Sequence, residues 1–93
     1  MTINETEYEN RIAIVTGAGR GMGRAVAHRL AAGGAKVVVN DMEPDSAEAV
    51  ASELRGQGDE AVAAPGDVSS SSDVKSMVDA AIENFGALHI LVN

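Results

Sequence analysis

Apolar positions along the chain alternate between two periods, and the alternation marks out seven elements. Arg11 to Thr16 carries the unbroken apolar run Ile12-Ala13-Ile14-Val15, short enough for a strand buried on both faces. From about Gly21 to Ala32 the residues are good helix formers, with Met22, Val26 and Leu30 at four-residue spacing as the expected core stripe. Gly33-Gly34 ends that helix. Ala35 to Asn40 is a second strand rich in β-branched residues. Pro44 then suits the first turn of a helix in which Ala47, Val50, Ala51 and Leu54 form one stripe, while Glu48, Glu53 and Arg55 face water. Gly56 and Gly58 stop it. Glu60 to Pro65 reads as a short third strand. Ser70 to Asp73 has the form of a capping box, and it opens a helix with Val74, Met77, Val78, Ala81, Ile82 and Phe85 on one face. Gly86 closes that helix, and Leu88 to Val92 is a fourth strand. Strands alternating with helices of this length imply a parallel sheet with right-handed crossovers.

The richest turn signal lies where the first strand becomes the first helix. It reads Thr16-Gly17-Ala18-Gly19-Arg20-Gly21-Met22-Gly23. The first helical amides have no partner within the helix, and the helix dipole presents positive charge there, so such a junction suits phosphate. Glycines supply the unusual backbone angles and let a pyrophosphate approach without meeting a Cβ. The spacing is T-G-x-x-x-G-x-G, because the third glycine of a G-x-G-x-x-G counted from Gly17 would fall on Met22.

Composition narrows the choice of ligand. The 93 residues allow one small domain, and a chain of this size buries only about 60–65% of its unfolded surface. Tyr8 and Phe85 are the sole aromatics, so the core is aliphatic. A net charge of −7 without any basic cluster opposes nucleic-acid and anionic-membrane partners. The absence of cysteine excludes disulfides and thiolate metal sites, and His28 and His89 are too few for a metal site. No apolar run reaches membrane-span length and the N-terminus lacks an export pattern, so the expected compartment is the cytoplasm. Met1 to Asn10 is acidic and is expected to be a mobile arm, with Tyr8 in a solvated tail.

Two side chains bear on which nucleotide would bind. Asp41 stands 18 residues after Gly23, at the end of the second strand. A carboxylate there can accept from the two hydroxyls of an adenosine ribose, and it would repel the 2′-phosphate of NADP. It can also serve simply as a turn aspartate before Pro44. Arg20 points the other way, since a guanidinium beside Gly21 could pair with a 2′-phosphate, or lie in solvent. A short fixed carboxylate cannot swing aside as an arginine can, so NAD is expected, with NADP the alternative. Asp41→Ala is expected to shift preference from NAD towards NADP.

From about Arg11 to Asn93 the chain resembles the classical short-chain dehydrogenase/reductase family. The features that carry the resemblance are Thr16, Gly17, Gly21 and Gly23, Asp41 after the second strand, Asp67-Val68 after the third, and Leu91-Val92-Asn93, which looks like the approach to N-N-A-G. The resemblance implies an α/β fold, an open doubly wound parallel sheet of Rossmann type with strand order 3-2-1-4, cut off after the fourth strand. The first two helices should cover one face and the third the other. It implies cofactor binding by Gly17, Arg20, Gly21, Met22, Gly23 and Asp41, with Asp67 on the adenine amino group and Val68 lining the adenine pocket. A plain turn at Asp67, close to the next helix, is compatible with that role.

The family's catalytic Ser and Y-x-x-x-K lie beyond the fourth strand, and no position here matches them; Tyr8 precedes the first strand and has no Lys four residues on. The expectation is therefore the cofactor-binding portion, residues 11–93, of an NAD(P)-dependent oxidoreductase acting on an alcohol/ketone pair, inactive alone, with substrate pocket and dimer helices downstream and a homo-oligomeric full-length form. The fourth strand is expected to be an unprotected edge, with part of one sheet face bare and marginal stability. The alternatives are a non-enzymatic module binding NAD or ADP-ribose, and an adenosyl-methionine methyltransferase fragment. The last is disfavoured because such loops carry an acidic residue where Thr16 stands.

Overall fold

The computed structural model describes residues 6–93. All seven elements form in the expected order: β1 (Ile12–Val15), α1 (Gly21–Ala32), β2 (Lys36–Val39), α2 (Pro44–Gly56), β3 (Ala61–Ala63), α3 (Ser71–Phe85) and β4 (Ile90–Val92). The strands make one parallel sheet in the order β3-β2-β1-β4. Ala13 pairs with Val37 on one side and Ile90 on the other, which centres the sheet on β1.

Alternate residues of the strands feed two cores. Ala13, Val15, Val37 and Val39 face α1 and α2 and pack on Leu30, Val50 and Leu54. Ile12, Ile14 and Val38 face α3 and pack on Met77 and Ala81. Because helices cover both faces, β1 is buried at every position rather than at alternate ones. The α2 stripe Ala47, Val50, Ala51 and Leu54 is wholly buried, as its spacing predicts.

Three expectations differ from the structure. Met22 is 83% exposed and takes no part in the α1 stripe, because the first turn of α1 projects past the end of the sheet. On α3, Val74 and Ile82 are exposed while Met77 and Ala81 are buried. That helix packs over β1 and β2, and its contact towards β4 is looser. A hollow of about 130 Å³ lies there, lined by Val74, Val78, Leu88 and Leu91, and Leu91 on β4 is 61% exposed.

The third difference concerns the acidic arm. Residues 1–5 of that arm lie outside the described residues, but 6–10 fold back on the domain. The Tyr8 amide donates to Gly33 O at 2.7 Å, and the Arg29 guanidinium sits 5.5 Å above the Tyr8 ring while pairing with Glu7 at 2.7 Å. An aromatic ring gains by covering the apolar end of α1, and the cation above it adds to that contact.

Candidate functional site

The C-terminal ends of β1, β2 and β3 face a cleft of about 580 Å³. It lies at the C-terminal ends of the parallel strands, where β1 leads into α1 on one face and β3 leads into α3 on the other, which is where open α/β sheets place their ligands. Thr16, Gly17 and Arg20 line one wall, Asn40 to Glu43 another, and Gly66, Val68 and Asn93 close it.

The glycine loop owes its shape to local backbone demands. Gly17 and Gly21 both have φ near +60°, at 61° and 60°. A Cβ at either would project into open space, and Gly17 keeps the loop bare where it lines the cleft. Gly23 is needed for a different reason: a Cβ there would lie 2.3 Å from Gly17 O. Without a side chain, α1 can start directly against the loop. The residue preceding α1, Arg20, is extended, no side chain caps the helix, and no acid sits in its first turn. Among the described residues, the first-turn amides thus have no side-chain acceptor.

Ties from β2 and β4 hold the loop in place. The Ala18 amide donates to Asn40 O at 2.7 Å, and the Gly19 amide donates to Asp41 Oδ2 at 3.0 Å. The Thr16 hydroxyl lies 3.1 Å from Val92 O and from Asn93 Oδ1, which joins the ends of β1 and β4. Asp41 is only 7% exposed, and its other oxygen accepts the Glu43 amide at 3.0 Å. Asn40 holds the third strand to the second, since its amide donates to Ala64 O at 3.0 Å and Gly66 O at 3.2 Å.

Asp67 belongs to the neighbouring junction. Its Oδ1 accepts from the amide and the hydroxyl of Ser69, at 2.8 and 2.7 Å, and the Ser69 donors hold its carboxyl below the usual carboxylate range. Its own amide donates to Asp73 Oδ2 at 2.9 Å. Ser70 caps α3 by accepting from the Asp73 amide. The reciprocal half of the expected capping box is replaced, because Asp73 reaches back to Asp67 rather than to Ser70.

Of the residues singled out from the sequence, Gly17, Arg20, Asp41 and Val68 meet around the cleft. Gly21 and Gly23 shape the start of α1, Met22 projects outward, and Asp67 stands beside the cleft in the loop that Gly66 and Val68 line. Sequence reasoning missed Asn40, whose signal was only a polar residue ending an apolar strand. It also missed Gly19 as a packed position, Met42 and Glu43 as cleft lining, and the tie from Thr16 to Asn93. Among the described residues no group of His, Asp or Glu is placed to hold a metal, and no helix is long and apolar enough to cross a membrane.

Known proteins share this fold. The family model described as short chain dehydrogenase matches residues 11–93. A short chain dehydrogenase of Claviceps purpurea is 45% identical over 84 residues, which is 89% of this chain and 32% of the relative. A cyclohexanol dehydrogenase of an Acinetobacter species is 36% identical over 91 residues, 98% of this chain and 36% of the relative. A solved 7α-hydroxysteroid dehydrogenase, complexed with NADH and 7-oxo glycochenodeoxycholic acid, superposes with a TM-score of 0.91 at 35% identity, over 100% of this chain and 36% of that one. The chain therefore spans about a third of the length of these proteins. With the family model running through every element from β1 to β4, the chain belongs to the short-chain dehydrogenase/reductase family.

Proposed function

We propose that this chain is the NAD-binding portion of an NAD(P)-dependent oxidoreductase acting on an alcohol/ketone pair. The observation that carries the reading is the uncapped start of α1, set behind bare left-handed glycines and across the cleft from a buried carboxylate. The residues present fit a dinucleotide. Amides at a helix start suit a pyrophosphate, and the bare loop lets it come close. Asp41, held by two amides, suits the ribose hydroxyls. Val68 and Met42 offer apolar surface to an adenine, and Asp67, kept anionic by Ser69, offers an acceptor to its amino group. Bound there, the cofactor would supply or accept a hydride.

NAD is favoured over NADP because a 2′-phosphate would meet Asp41 and Glu43 in one wall, with Arg20 the one cation lining the cleft among the described residues. An alcohol/ketone pair is supported by the names of the cyclohexanol and hydroxysteroid dehydrogenases. Tyr8 packs on Gly33, at the opposite end of the strands from the cleft.

Calorimetric titration with NAD, NADP and adenosyl-methionine tests the reading. Binding of NAD more tightly than NADP, with no heat from adenosyl-methionine, is expected. Adenosyl-methionine binding, or a folded chain that binds neither dinucleotide, would overturn it.

A further inference from the structure

We propose that Asp41 is a positioning residue for the glycine loop, so that the site cannot give up its NAD preference at Asp41 without also loosening the loop. The loop half of this statement stands on geometry alone; the cofactor half rests on the proposed function.

Both oxygens of the buried carboxylate are used by backbone. Oδ2 accepts the Gly19 amide and Oδ1 accepts the Glu43 amide, each at 3.0 Å. Gly19 itself has no room to move towards Asp41 or α2. A Cβ there would lie 2.7 Å from Ser46 Cβ and 2.8 Å from Asp41 Oδ2. The loop is thus seated on the first turn of α2 and fastened to the end of β2 by the Gly19 bond and by the Ala18 amide on Asn40 O. An amide that loses its acceptor in a partly buried place opens more readily.

Neutral replacements cannot reproduce the tie. Asparagine has one side-chain oxygen, so its NH2 would face the N–H of either Gly19 or Glu43. Alanine accepts from neither. The change that removes repulsion of a 2′-phosphate therefore also frees the backbone that would hold the pyrophosphate. Relaxed cofactor choice in this scaffold should come from the opposite wall, where Arg20 is exposed and in no ion pair among the described residues.

The test follows hydrogen exchange of the Gly19 amide in ligand-free protein, for the wild type, Asp41→Asn, Asp41→Ala and the control Asp45→Asn. The control removes an exposed charge of α2 that ties nothing to the loop. Exchange at Gly19 is expected to rise about tenfold in Asp41→Ala, by less in Asp41→Asn, and not in the control. The Val38 amide, in the central sheet, reports whether each variant is folded; if Asp41→Ala is not, Asp41→Asn decides. Titrations on the same samples should show NAD weakened about tenfold or more in Asp41→Ala, with no tightening of NADP. Gly19 exchange unchanged in a folded Asp41→Ala would overturn the tie. NADP tightening in that variant would overturn its link to cofactor choice. If even the wild type binds no dinucleotide, the proposed function fails while Gly19 exchange still decides the tie.

Discussion

Two strand-to-helix junctions open at the same end of this sheet, and they treat the start of the helix in opposite ways. At β3–α3 the chain satisfies itself. Ser70 caps the helix, Asp73 accepts the Asp67 amide, and Asp67 accepts twice from Ser69. At β1–α1 no side chain caps the helix, and Gly17, with positive φ, leaves the loop bare where it lines the cleft. An uncapped helix start is less stable by about 1 kcal/mol than a capped one. The difference supports the proposal that a nucleotide binds at β1–α1. The closed junction contributes stability and the open one leaves its donors without a side-chain acceptor among the described residues, while the loop before the closed one lends Gly66 and Val68 to the same cleft.

The comparison can be broken most severely at Gly23. A methyl group there must displace Gly17 O, so Gly23→Ala is expected to cost about 3 kcal/mol of stability and to abolish dinucleotide binding. Urea unfolding and calorimetry would measure the two losses. Making the open junction resemble the closed one is the next largest change. Arg20→Asp places an acceptor in the capping position, which should raise stability by about 1 kcal/mol and weaken NAD about tenfold or more. Opposite movements of melting temperature and affinity are the signature to look for. Opening the closed junction is milder: Ser70→Ala should cost about 1 kcal/mol and leave NAD affinity unchanged.

The smallest expected effect is one of pH, at the contact that ties α1 to α2. Glu53 pairs with Arg24 at 2.7 Å and His28 at 3.3 Å, and these partners hold its carboxyl down from 4.5 to about 2. Its folded value lies below its unfolded one. The stabilisation is therefore present above pH 4.5 and lost as the pH falls towards 2. This contact is exposed, so its contribution is small and screened by salt. Arg24→Ala should flatten the acid limb of the stability curve, as read by thermal melts across that range.

Much of this fold was legible because neighbours in sequence carry it. Four apolar residues at i, i+3, i+4 and i+7 set the buried face of α2, and Gly33, Gly56 and Gly86 mark helix ends. Strand order followed from the alternation of elements together with the family resemblance. What escaped the reading depends on what lies opposite. The spacing of Val74 and Ile82 defines an apolar face on α3 but not how far the sheet extends beneath it. Tyr8 carried no pattern of its own, so its seat on Gly33 could not be read from one aromatic residue. In the site, the glycine spacing and Asp41 were legible as candidate binding groups. That Asp41 fastens Gly19, and that Asn40 fastens Gly66, are contacts between segments remote in sequence.

If the open junction is the nucleotide site, an amide-resolved NMR titration with NAD will read the binding there. The amides of Gly17 to Gly23 and of Val68 are expected to shift with a common affinity, while those of Ser71 to Val74 in the first turn of α3 stay where they are. Shifts confined to other surfaces, with the Gly17 to Gly23 amides unmoved at saturating NAD, would contradict it.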